Sequence, residues 1–215
     1  MPIELIIFDL DGTLVDSSRD IANAVNHAIA PYGVQPLTVK ETIGLIGEGV
    51  TRLMEKVIAK EHLNAGRDAL VDRFLAYYAE HLVDETTVYP GVRETLEQLT
   101  GCRKAVISNK REALSVKILE KLALAKYLDI IVGSDTTEER KPSPLPILYV
   151  LDRFGINARD AVMVGDSNYD IEAGKAAGIR TVSVTYGYKT LDFLRGSDFI
   201  IESMFELPGI LERME

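Results

Sequence analysis

The chain has one cysteine and no tryptophan in 215 residues. Its single thiol, Cys102, has no second cysteine to pair with, so no internal disulfide framework holds the fold and a reducing, cytoplasmic compartment is expected. Basic residues are outnumbered, with 24 Lys and Arg against 33 Asp and Glu and a formal charge of −9. A chain with no basic excess has few phosphate counterions to release, which excludes general nucleic-acid binding and requires a local cation to capture any anionic substrate. No apolar run is long enough to cross a bilayer, and no charged-then-apolar leader precedes Ile3. Internal repeats and low-complexity segments are also missing. What is present is ordinary globular composition, 47% hydrophobic and 27% charged, at a length that suits one sizeable domain or a core domain carrying a smaller insertion.

The stretch Ile3 to Leu14, IELIIFDLDGTL, organises the rest. Its unbroken apolar run suits a strand buried on both faces of a parallel sheet. The run then ends in acid. Side chains two apart on an extended chain point the same way, so Asp9 and Asp11 project together as the strand ends, and Gly12 permits a sharp exit. Two carboxylates beyond the carboxyl end of a strand attract a divalent cation; the alternative for Asp-x-Asp alone is a solvated acidic turn.

Beyond Leu14 the spacing becomes helical. Ile21, Val25, Ala28, Ile29 and Tyr32 recur every three or four residues, with Asp16, Ser17 or Ser18 as cap and Gly33 as terminator. Thr38 and Glu41 make a capping box for a short helix; Leu53, Met54, Val57 and Ile58 mark a third, and Leu70, Val71, Phe74, Tyr78 and Leu82 a fourth. No convincing strand falls between Val15 and Thr87, so this segment reads as a helical module. After Tyr89-Pro90-Gly91 an α/β alternation resumes. Helices are expected over Val92–Leu99, Arg111–Leu124, Ser143–Gly155, Ser167–Gly178 and Phe205–Arg213. Strands are expected over Lys104–Ile107, Asp129–Val132, Ala161–Val164 and Ile179–Val184, with a short edge strand at Asp198–Ile201. The pattern predicts an α/β protein with a doubly wound, Rossmann-like parallel-sheet core and an inserted all-helical domain.

Three strands then end in usable polar groups: Asp9 with Asp11, Ser108 with Asn109, and Asp166. Parallel strands place all their carboxyl ends on one sheet edge, so residues a hundred apart in sequence converge on one crevice. Lys141 supplies positive charge, and Pro142 biases it away from helical geometry and toward an extended loop; a solvated surface lysine is the alternative. Asp170, one helical turn beyond Asp166, faces the same side, or is simply a first-turn acid complementing its helix dipole. His27, His62 and His81 lack ligand-like spacing and have packing or surface roles.

Phe8-Asp9-Leu10-Asp11-Gly12-Thr13-Leu14, Ile107-Ser108-Asn109, Lys141-Pro142 and Gly165-Asp166-Ser167-Asn168-Tyr169-Asp170 resemble the four ordered motifs of the haloacid dehalogenase-like hydrolase superfamily across essentially the whole chain. The resemblance implies a catalytic core from residues 1–15 and 88–215 and a small helical cap, 16–87, that sets substrate specificity. It implies that Asp9 is a nucleophile forming an aspartyl-phosphate and that Asp11 is the general acid and base. Mg²⁺ would be held by Asp9, the Asp11 main-chain carbonyl and Asp166, while Ser108, Asn109, Lys141 and Thr13 bind substrate. Asp170 would orient Lys141 or a metal-bound water. The run after Asp11 looks most like phosphoglycolate phosphatases, so a small phosphorylated metabolite, with 2-phosphoglycolate first, is the expected substrate of a monomer or weak homodimer. Asp11 itself is absent from the dehalogenases and phosphonate-cleaving members, which argues against those chemistries. A phosphoglucomutase-like phosphotransferase, a pyrophosphatase and a non-catalytic phosphometabolite-binding module are the competing readings. In the cap, the loop Gly44 to Arg52 is either a substrate loop, with Gly49 and Arg52 meeting a small carboxylate, or a plain glycine-rich helix connection.

Overall fold

A computed structural model describes residues 3–214. The chain divides into two compact units, one running to Asp16 and resuming at Val88, the other Ser17–Thr87.

The first unit is built on six parallel strands in the order β5-β4-β1-β6-β7-β8. These are β1 (Leu5–Phe8), β4 (Arg103–Ile107), β5 (Ile130–Val132), β6 (Ala161–Gly165), β7 (Arg180–Val184) and β8 (Phe199–Ile201). Two further short strands, β2 (Val15–Asp16) and β3 (Thr87–Val88), mark where the chain leaves this unit and returns. Every residue of β1 is fully buried, as its unalternated apolar run requires. Leu5 and Ile7 pack with Ile147, Val150 and Leu151 in one core cluster, so helix α7 (Leu145–Phe154) covers one face. Ile6 and Phe8 point to the other. Edge placement of β8 agrees with the short, mixed run expected there.

Register fixes the functional edge. Phe8 sits level with Val106 on one side and Val164 on the other, so Asp9, Ser108 and Asp166 all emerge just past the same line of residues. The remaining helices of this unit are α5 (Val92–Gln98), α6 (Glu112–Lys121), α8 (Asn168–Ala176), α9 (Leu191–Leu194) and α10 (Leu207–Glu212). Three depart from expectation. Helix α6 stops before Leu122, because Ala123 takes a left-handed φ of 54° and the chain continues as a 3-10 turn at Ala125–Tyr127. The last helix is divided into a 3-10 turn, Met204–Glu206, capped by Ser203, and α10 with Pro208 in its first turn. The one-turn α9 has no sequence counterpart; four residues carry too little periodicity to be seen.

The second unit contains α1 (Ser18–Ile29), α2 (Val39–Ile43), α3 (Gly49–Glu61) and α4 (Arg67–Glu80). The capping box of α2 forms as expected, with the Glu41 amide donating to Thr38 Oγ1 and the Glu41 carboxylate accepting from the Thr38 amide. Ile21, Val25, Ala28, Ile29, Leu53, Met54, Val57, Leu70, Val71, Phe74 and Tyr78 are buried on these helices, as the spacing predicts. Ile58 is half-buried, Tyr32 is exposed in a 3-10 turn after α1, and Leu82 is buried beyond the end of α4. Tyr77 stacks between His27 and His81, so both histidines have packing roles.

Candidate active site

The loop after β1 is tied at every step. Asp9 is still in the ladder, its amide donating to the Val164 carbonyl at 2.9 Å, and its Oδ1 accepts from the Leu10 amide at 2.7 Å. The amides of Leu14 and Val15 then return to the Leu10 carbonyl, which closes a tight loop through Gly12 at φ 84°. Only glycine takes that φ without strain. A side chain there is also sterically impossible, since a Cβ on Gly12 would lie 2.3 Å from Asp166 Oδ2.

Lys141 is the centre of charge. It is 3% exposed, which overturns both the surface-lysine alternative and the extended loop: the Lys141-Pro142 peptide is cis and lies in a turn. Its ammonium has three protons and three partners, the Ile107 carbonyl at 2.7 Å, Asp170 Oδ1 at 2.7 Å and Asp9 Oδ1 at 2.9 Å. Burial alone would depress this lysine, but the carboxylates of Asp170 and then Asp9 outweigh it and hold the ammonium well above its ordinary range. Asp170 makes two sets of contacts. Its Oδ1 anchors Lys141, while Oδ2 accepts from the Ser167 amide and hydroxyl and so completes the capping box of α8. Gly165 makes room, as a Cβ there would sit 2.2 Å from Asp170 Cγ.

Asp166 brings in a segment that sequence reasoning missed. Its Oδ2 accepts from the Tyr188 amide at 2.6 Å, in the loop after β7. A Cβ on Gly187 would lie 2.3 Å from Asp166 Cβ and 2.4 Å from the Gly12 carbonyl. In the same loop Tyr186 donates its hydroxyl to the Thr13 carbonyl at 2.9 Å, and its ring meets that of Tyr89 at 4.7 Å. The available signal was topological: Tyr186-Gly187-Tyr188 follows a fourth parallel strand and exits on the same edge.

Of the other expected residues, Ser108 and Asn109 are buried at the end of β4; Asn109 Nδ2 donates to the Lys141 carbonyl at 2.9 Å and Ser108 Oγ accepts from the Lys110 amide at 3.2 Å. Thr13 is fully buried, and its Oγ1 has no hydrogen-bond partner among the described residues. Asp11 pairs with Lys110, Nζ to Oδ1 at 2.6 Å, a contact the sequence reading did not foresee. Gly49 opens α3 at φ 77°, and Arg52 on the same helix donates to Glu55 at 2.6 Å; both belong to the Ser17–Thr87 unit. Cys102 is half-buried and burial pushes its thiol up, which makes it a poor nucleophile.

The carboxylates of Asp9, Asp166 and Asp170 bring oxygens within 4.8 Å of one another, and one ammonium, that of Lys141, pairs with Asp9 and Asp170. Crowding shows in their acidities. Burial, tempered by Lys141 and reinforced by Asp170, pushes Asp9 up to about 7, and burial with Asp9 and Asp170 nearby raises Asp166 well above the carboxylate range. A hard, all-oxygen donor set short of positive charge is what a small divalent cation fits. Asp170 uses both oxygens on Lys141 and Ser167, which leaves Asp9 and Asp166 as the better ligands.

Carboxylates gathered about a buried lysine at the carboxyl edge of a doubly wound sheet define a hydrolase-type site. Residues 6–184 match the family model described as haloacid dehalogenase-like hydrolase, and the chain belongs to that family. It is 39% identical to a phosphoglycolate phosphatase of Chromobacterium violaceum over 98% of this chain and 97% of that one. A phosphoglycolate phosphatase of Aquifex aeolicus is 43% identical, over 88% of each. A crystal structure described as a predicted phosphoglycolate phosphatase from Haemophilus somnus superimposes with a TM-score of 0.91 at 30% identity, covering 96% of this chain and 97% of that one. Among the described residues no helix is long and apolar enough to cross a membrane.

Proposed function

We propose that this chain is a phosphomonoesterase that hydrolyses 2-phosphoglycolate, a small phosphorylated metabolite, through an aspartyl-phosphate on Asp9. The observation that carries this reading is the shared position of Asp9: its Oδ1 is bound by Lys141 and by the Leu10 amide, which fixes the carboxylate at the crevice. Names of relatives along nearly the full chain supply the substrate.

In the first step an Asp9 oxygen forms a bond to phosphorus, the bond from phosphorus to the ester oxygen breaks, and Asp11 gives its proton to the departing alkoxide. Water then attacks the same phosphorus, Asp11 takes its proton, and the Asp9 carboxylate leaves. Ser108, the Asn109 main chain and Lys141 place hydrogen-bond donors and positive charge where phosphoryl oxygens gather charge. Asp9, the Asp11 main-chain carbonyl and Asp166 are the residues that would hold Mg²⁺, which when bound offsets the repulsion between the anionic nucleophile and the anionic phosphate. Asp170 keeps Lys141 in place, and the helical unit, Ser17–Thr87, is assigned the choice of substrate, with Gly49 and Arg52 as its candidate contacts.

Phosphate release from 2-phosphoglycolate, pyrophosphate, nucleotides and hexose phosphates, with Mg²⁺ and with chelator, tests this. The expected result is Mg²⁺-dependent release with 2-phosphoglycolate preferred. Phosphoryl transfer to an added sugar phosphate in place of release assigns the chain to the mutases, and silence on every compound refutes the phosphatase reading.

A further inference from the structure

Three successive residues in the loop after β7 grip both segments assigned to the metal. Tyr186 donates its hydroxyl to the Thr13 carbonyl at 2.9 Å. Gly187 is wedged where the segments meet, since a Cβ there would lie 2.4 Å from the Gly12 carbonyl and 2.3 Å from Asp166 Cβ. The Tyr188 amide donates to Asp166 Oδ2 at 2.6 Å. Tyr186 is braced in turn: its ring lies 4.7 Å from that of Tyr89, whose amide donates to the Leu14 carbonyl at 3.1 Å. Asp166 Oδ1 has no hydrogen-bond partner among the described residues, so Asp166 offers a cation one oxygen while the other is fixed.

We infer that Tyr186 is a positioning residue whose bond to the Thr13 carbonyl sets the spacing between the Asp11 main-chain carbonyl and Asp166, and so makes the site select Mg²⁺ over larger divalent cations. The inference rests on the phosphatase reading and deepens it. Mg²⁺ demands oxygens at about 2.0–2.1 Å in a near-ideal octahedron, whereas Ca²⁺ takes them at about 2.3–2.6 Å in flexible arrangements. A site favours the smaller ion only where its ligands resist moving apart. Thr13 is two residues beyond Asp11, in a turn closed by the Leu14 and Val15 amides on the Leu10 carbonyl, so a bond to the Thr13 carbonyl restrains Asp11 as well. At the other end, the Tyr188 amide opposes any rotation of Asp166 that would present both oxygens, a mode open to the larger ion. Replacing Tyr186 by phenylalanine keeps the ring against Tyr89 and removes only the hydroxyl, which isolates this bond.

The test is calorimetric titration of the whole metal-free chain with MgCl₂ alone and with CaCl₂ alone, in wild type, Tyr186→Phe and Tyr186→Leu. Thermal melting checks folding, and phosphate release from 2-phosphoglycolate by wild type is measured in parallel. Wild type is expected to bind Mg²⁺ more tightly than Ca²⁺. Tyr186→Phe should weaken Mg²⁺ binding about tenfold and Ca²⁺ binding less than about twofold, with little change in melting temperature. Tyr186→Leu, which also loses the ring, should shrink the preference at least as far. Equal weakening of both ions, or of neither, in whichever variant folds overturns the inference and leaves Tyr186 as a support for the turn. Wild type that binds Ca²⁺ as tightly as Mg²⁺ also overturns it, and phosphate release with Mg²⁺ then leaves the phosphatase reading standing. Wild type that binds neither ion and releases no phosphate refutes both.

Discussion

Enclosed acids are treated differently at the working edge of this protein and in its helical insertion. In the Ser17–Thr87 unit, Asp20 is 1% exposed and accepts from the amides of Asp84, Glu85 and Thr86 and from the Thr86 hydroxyl. Its charge is fully answered by fixed dipoles. At the sheet edge, Asp9 and Asp166 are also enclosed, but they face each other and Asp170 across one lysine. An acid surrounded by donors holds a loop in place; three carboxylates crowded on one ammonium carry an excess of negative charge that a divalent cation would offset. Other charges of the helical unit form solvent-facing pairs, such as Arg52 with Glu55 and Lys60 with Glu41, which add little stability.

Ways to break this contrast rank by size. Asp9→Asn should abolish phosphate release, by about 10⁴-fold or more, without lowering the melting temperature, because it removes a crowded charge and keeps the shape. Asp20→Ala should do the opposite, costing about 2–4 kcal/mol, or roughly 5–15 °C of melting temperature, since it strands buried donors. Mg²⁺ affinity measured by calorimetry on folded Asp20→Ala should be unchanged. Gly187→Ala should weaken Mg²⁺ binding by roughly 10–100-fold in the same calorimeter, because the added methyl displaces Asp166.

A pH series sharpens the comparison further. Asp9 is raised from 3.8 to about 7, chiefly by burial, so the folded metal-free protein holds this proton more tightly than the unfolded chain does. Its contribution is therefore present below about pH 4 and is lost as pH rises toward 7, and Asp166 acts in the same direction. Metal-free protein should lose a few degrees of melting temperature over that window, and Mg²⁺ should restore more at the upper end than at the lower. The smallest effect belongs to the surface: Glu55→Gln should change stability by less than about 1 kcal/mol in a urea melt.

Much of this was legible in the sequence for a physical reason. An apolar run ending in Asp9 and Asp11, and β6 ending in Gly165-Asp166, announce strand ends locally, and parallel topology does the rest. The α/β core, its edge strand β8 and the helices of the insertion followed from periodicity. What was hidden lies in contacts between residues far apart in the chain. Gly187 matters because it touches Asp166 and the Gly12 carbonyl, and Lys110 because its side chain turns to Asp11, and no local pattern encodes either. Asp20 carries no signal of its own in the sequence; only the fold shows three amides converging on it. The turn at Lys141-Pro142 is closed by the Ser143 amide on the Arg140 carbonyl, a pairing that no single-residue bias encodes.

The central claim is that Asp9 carries the phosphoryl group. Acid quench of the enzyme turning over 2-phosphoglycolate with Mg²⁺, followed by peptide mass analysis, tests it most directly. The account predicts one phosphoryl group on the peptide containing Asp9, and none in Asp9→Asn. Phosphoryl on another residue, or turnover undiminished in Asp9→Asn, would contradict it.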